Sequence, residues 1–136
     1  MGRRQFLLSL SLAPAGVARP NKDTLRGRLN QQPGGKPAIL TAESRLVLVE
    51  GDEPTNGVLK DHRLAGADLE VIGQLTAPDR FLIDPIHTRS MFVHKNDKRL
   101  FITYWCEVCA IRTYTPGLCW CCQQETQLDL RESIDP

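Results

Sequence analysis

The chain has almost no net charge, its 17 Lys and Arg offsetting 16 Asp and Glu over 136 residues. A polyanion partner calls for a concentrated basic face. The densest basic cluster, Lys95 to Arg99, is broken by Asn96 and Asp97 and reads as a hairpin turn. Aromatic residues are scarce at 6%, whereas single-strand nucleic-acid binding needs stacking platforms in a basic groove. Phe81, Phe92 and Phe101 have no basic groove beside them in the sequence, and at alternating strand positions they read as core. Composition therefore argues against nucleic acid and leaves a protein or a small ligand as the partner, without naming it.

Catalytic motifs are also missing. There is no G-x-S-x-G nucleophile turn, and Gly34-Gly35 is too short to cradle a phosphate. The acids of Gly51 to Gly57 (GDEPTNG) read as a solvated loop rather than a calcium site. Histidine occurs as His62, His87 and His94 alone. "DPIHTRS" places Asp84, His87, Thr88 and Arg89 together, which can orient an acid-base histidine. A Pro-containing loop whose polar groups satisfy its own backbone explains the same residues. The chain is expected to be non-catalytic.

Long apolar runs are missing too. The longest, Phe6 to Ala13, falls short of the roughly 20 residues a membrane-spanning helix needs. Its surroundings are informative: Arg3-Arg4 precede it and small residues follow, the layout of an export signal. Arg3-Arg4-Gln5-Phe6-Leu7 resembles the twin-arginine signal, with Gly2 where that family has Ser or Thr. Residues 1–18 are expected to be removed after Ala18, with Ala15 as the other candidate. The product is periplasmic or secreted, and meets the membrane only through its signal. That resemblance implies transport of an already folded protein.

What remains is long enough for one domain with a hydrophobic core, and residues 19–104 read as short strands separated by turns. "TLRGRLNQ" alternates and ends at Pro33-Gly34-Gly35; "KPAIL" and "RLVLVE" flank Ala42-Glu43-Ser44 as a hairpin. A short helix is expected around Val58–Leu64, and four more strands flank Ala77–Arg80 and Asn96-Asp97. The fold class is mainly β, a small closed barrel or a sandwich. The order of elements over Thr24 to Tyr104 resembles the OB-fold, with Gly27 and Gly73 placed where strongly bent strands turn a corner. Fold alone grants no ligand.

Cysteine is absent until residue 106, and then all five residues crowd into "CEVCAIRTYTPGLCWCC". Cys106, Cys109, Cys119 and Cys122 form two C-x2-C pairs, the arrangement of two knuckles whose thiolates converge on one tetrahedral ion. Pro116-Gly117 supplies the turn that brings the second pair back. Residues 105–136 are thus read as a metal knuckle and tail. Trp105 and Trp120 flank the cysteines and are expected to cover the site.

Tyr104, Cys106, Cys109, Pro116, Gly117, Cys119 and Cys122 resemble a treble-clef or ribbon knuckle, and in particular the small heavy-metal-binding segment of copper-transporting ATPases. Cys109 stands where that family has histidine, and Gln123-Gln124 replace its Gly-Met. The resemblance implies a metal site, and the extra thiolate implies permanent zinc rather than metal transfer. Disulfides suit an oxidising compartment, but five cysteines leave one over. Iron takes the same four thiolates. A c-type haem is excluded, because Ala110 and Gln123 stand where histidine must follow each pair. Cys121 is the spare thiol, inert, reactive or an alternative ligand. The expected function is a zinc-holding binding or structural module. The competing reading is a periplasmic thiol or metal-redox protein that handles iron or copper.

Overall fold

The computed structural model describes residues 22–32 and 34–134. The proposed export signal lies outside the described residues. Strand β1 (Asp23–Asn30) is followed by the hairpin of β2 (Ala38–Leu40) and β3 (Leu46–Glu50), then helix α1 (Glu53–Leu59) and a 3-10 turn (His62–Leu64). Next come β4 (Asp68–Ala77), β5 (Arg80–Ile83), a 3-10 turn (His87–Arg89), β6 (Met91–Lys95), β7 (Lys98–Cys106), β8 (Ile111–Thr113) and β9 (Gln127–Arg131).

The first five strands close into a barrel. β1 pairs antiparallel with β2, and β2 with β3. β3 runs parallel to β5, β5 antiparallel to β4, and β4 antiparallel back to β1. Of the barrel and the sandwich that the sequence allows, the chain forms the closed barrel, with the helix between the third and fourth strands.

β4 makes the closure possible. One edge holds β1 along Asp68–Gly73, while the other passes from β6 at Leu69–Val71 to β5 at Gly73–Ala77. The handover falls at Gly73, where a methyl group would sit 2.0 Å from the carbonyl oxygen of Leu82. Gly27 on β1 is equally confined, 2.2 Å from the carbonyl oxygen of Leu40. Both glycines therefore serve close backbone approach at the barrel's corners. Gly73→Ala is expected to cost about 2 kcal/mol or more, since a backbone must give way. Thermal unfolding should read this as a fall in Tm of roughly 5–10 °C.

Beyond the barrel, β6 carries the sheet to β7, whose other edge takes β9 at Phe101–Trp105. The turn between β6 and β7 has Asn96 and Asp97 both in the left-handed region (φ 55° and 63°), as a two-residue type I′ hairpin requires. One continuous core joins the barrel residues Leu29, Ile39, Val47, Leu69 and Phe81 to Met91, Val93, Ile102 and Tyr104 of β6 and β7. Leu128 and Leu130 of β9 pack on it. The sequence reading assigned no element to this tail. Phe81 and Phe92 are buried and Phe101 half-buried; the last two meet edge to face at 5.2 Å.

The helix requires a correction. It begins at Glu53, not near Val58, so GDEPTNG supplies its N-cap and most of its length rather than a loop, with Asp52, Glu53 and Pro54 exposed. Asp52 is the N-cap: its Oδ1 accepts from the Thr55 N–H at 3.0 Å and the Thr55 hydroxyl at 2.6 Å. Pro54 sits in the first turn, where its missing N–H costs no bond. Val58 and Leu59 are buried in the core.

Candidate metal centre

Each cysteine pair is the tip of a hairpin. β7 ends on Cys106 and β8 begins at Ile111, its register partner, so Glu107–Ala110 form the connecting turn. The second tip is closed by the Leu118–Glu125 bridge, by the Cys119 N–H on the Gln124 carbonyl (2.7 Å) and by the Gln123 N–H on the Cys119 carbonyl (2.8 Å). In the first knuckle the Cys109 N–H donates to Cys106 Sγ at 3.4 Å; in the second the Cys121 N–H donates to Cys119 Sγ at 3.4 Å. The residue after each pair takes the left-handed conformation, Ala110 at φ 54° and Gln123 at φ 64°. The two halves thus repeat one local fold, although their intervening residues differ.

That conformation strains a side chain with a Cβ. Gln123→Gly is therefore expected to stabilise the protein by about 1 kcal/mol, because glycine adopts positive φ freely. Denaturant unfolding should show a higher midpoint at unchanged slope.

The Sγ atoms of Cys106, Cys109, Cys119 and Cys122 all lie within 4.8 Å of one another. Cys106 Sγ and Cys122 Sγ stand 3.5 Å apart, well beyond an S–S bond of about 2.05 Å. Tetrahedral zinc with bonds of about 2.3 Å sets its sulfurs about 3.8 Å apart, so the cluster matches that spacing. Cys106 and Cys119 are buried, Cys109 and Cys122 half-buried, and Cys121 is exposed outside the four.

The thiols differ electrostatically. Backbone N–H groups of Cys122 and Cys121 outweigh burial at Cys119 and bring it down to about 7. Cys109 is pushed up, first by the adjacent Cys121 thiol and then by burial and the other cysteines. At Cys106 the Cys109 N–H pulls downward, but burial and the thiols of Cys122 and Cys119 together win. Crowded thiols resist becoming anions together; a bound cation would supply the compensating charge and displace their protons.

Two anchors tie the knuckles to the sheet and barrel, and sequence reasoning missed both. Arg112 of β8 donates to Thr103 Oγ1 and to Asp129 Oδ2, each at 2.8 Å, spanning β7 and β9, and lies 4.8 Å from the Trp105 ring centre. On the barrel side, buried Asp61 accepts from the Tyr104 hydroxyl (2.9 Å) and from Arg63 Nε (3.0 Å). Arg63 Nη1 in turn donates to the Thr126 carbonyl at 2.8 Å. Thr126 bonds back to the Gly117 carbonyl, holding the Pro116-Gly117 turn.

The tryptophan expectation is corrected in part. Trp105 is half-buried, but Trp120 is 73% exposed. Lying between Cys119 and Cys122, it is turned outward as the backbone wraps the sulfurs. The DPIHTRS residues separate: Asp84 pairs with Lys22, while His87 Nε2 donates to the Tyr114 carbonyl at 2.5 Å. His94 meets Glu70, which also holds Arg99.

Comparison with known protein families, curated proteins and solved structures finds no match for this chain.

Proposed function

We propose that this protein is an exported, non-catalytic metal-binding module, in which Cys106, Cys109, Cys119 and Cys122 hold one structural zinc ion on an OB-like barrel. The convergence of four thiols within 4.8 Å carries this reading. Support comes from the knuckle hydrogen bonds, which pre-position Cys106 and Cys119, and from thiol crowding that a bound cation would offset. No histidine is among the four sulfur ligands, which favours a closed structural site over an open catalytic one. This set is also the point of departure from the heavy-metal-binding segment of copper-transporting ATPases, and it favours retention over transfer.

Zinc would fix two hairpin tips that carry no apolar core of their own, much as disulfides do in small secreted domains. Export in the folded state, which the Arg3-Arg4 pattern favours, lets the site fill before it meets oxidants. The test is elemental analysis with a visible spectrum of the purified protein. One zinc per chain and no colour supports the reading; a coloured iron form, or metal-free protein with disulfides, contradicts it.

A further inference from the structure

We propose that the two knuckle tips dock the folded protein on the surface of an uncharged phospholipid bilayer, through Val108, Leu118 and Trp120. Among the described residues these are the three most exposed large hydrophobic side chains, at 67%, 65% and 73%. Each is the chain neighbour of a cysteine in the four-sulfur cluster: Val108 precedes Cys109, and Leu118 and Trp120 flank Cys119. Because those sulfurs lie within 4.8 Å of one another, the three residues share one end of the molecule. β7 leads to that end, its pairing with β6 stopping at Phe101 and with β9 at Trp105, ahead of Cys106. The knuckles do not need these side chains. Their closing bonds join backbone groups and sulfurs: the Cys109 N–H to Cys106 Sγ, the Cys121 N–H to Cys119 Sγ and the Cys119 N–H to the Gln124 carbonyl. Polar residues would close the same turns without setting apolar surface in water.

Size and charge select the occupant. The three side chains offer roughly 400 Å² of apolar surface, about half of the roughly 800 Å² that each partner gives to a stable protein interface. A second copy is therefore too large a partner for this patch, whereas a bilayer needs only apolar tips that enter its headgroup boundary. Tryptophan suits that depth, with an apolar ring and a polar N–H. Residues 107–110 and 117–125 include Glu107 and Glu125 but no Lys or Arg. Such tips offer no cation to an anionic headgroup, so the matching surface is zwitterionic lipid. This contact is separate from the one expected of the export signal, and it holds the folded domain at the membrane surface.

The experiment floats the purified full chain with phosphatidylcholine vesicles and follows tryptophan emission with a brominated phosphatidylcholine, which quenches rings inside the bilayer. Wild type should float with the vesicles equally at low and high salt, and its emission should be quenched. Trp120→Phe should still float but lose the quenching, which assigns it to Trp120 rather than Trp105. Leu118→Ser combined with Trp120→Ser should partition roughly a hundredfold less, about tenfold for each apolar side chain lost. Its melting should be unchanged, because both positions are exposed. Leu46→Ser, at an exposed leucine of the barrel, should bind as wild type does. No flotation, flotation without quenching of Trp120, or flotation that salt abolishes overturns the proposal. So does equal flotation of wild type and the double variant, which would place binding in Phe6–Ala13. A wild-type dimer that the double variant breaks also overturns it, making the tips a protein interface.

Discussion

Cys122→Ser is expected to strip the purified protein of its metal, while Cys121→Ser, one residue away, keeps the full complement. The two residues share a tip but not a setting. Cys122 Sγ lies 3.5 Å from Cys106 Sγ inside the cluster, and Cys121 stands outside the four and exposed. Structural zinc in small peptides contributes about 10–16 kcal/mol. A quarter of that, about 3 kcal/mol, is roughly a hundredfold in affinity. Losing the ion should also loosen both hairpin tips, so the Cys122 variant should melt earlier and Cys121→Ser should not. Acid should remove the metal from wild type as well, because thiols must lose protons to bind it.

Arg63→Met should give the second large effect, a loss of about 2–3 kcal/mol in denaturant unfolding. Arg63 neutralises Asp61, whose side chain is 2% exposed, so its removal leaves a buried carboxylate with no positive partner, held by the Tyr104 hydroxyl and the backbone N–H of residue 63. Burial alone would raise the Asp61 pKa; hydrogen bonds from Arg63 and Tyr104 more than offset it and leave the group below the usual carboxylate value. A depressed folded pKa means that the contribution is present above the unfolded value of about 3.9 and disappears as pH falls through the lower folded one. Wild-type stability should therefore drop below about pH 4, and Arg63→Met should show less of that drop. Asp61→Asn in the Arg63→Met background should recover part of the loss, since it removes the unpaired charge.

The contrast between these two predictions explains what was legible in the chain. The four-cysteine cluster could be read because zinc chemistry demands paired cysteines at fixed local spacing, and both knuckles are closed by pairings between residues at most seven apart. The barrel could be read because alternation, Gly27, Gly73 and the turn residues are local too. Asp61 is different: its partner Tyr104 lies forty-three residues on, and no pattern in either neighbourhood names the other. Arg112 and Asp129 are likewise joined only by the pairing of β7 with β8 and β9. β9 itself was hidden by its short, half-polar sequence QLDLR, which packs just Leu128 and Leu130 inward. The helix start was legible and misread: Asp52 before Glu53-Pro54 is an N-cap ahead of a first-turn proline.

The most direct measurement is X-ray absorption at the zinc edge on the purified full chain. Four sulfur scatterers at about 2.3 Å, with no nitrogen or oxygen in the first sphere, are predicted. A sphere containing nitrogen or oxygen, or the absence of a zinc edge, would contradict a closed four-thiolate centre at Cys106, Cys109, Cys119 and Cys122.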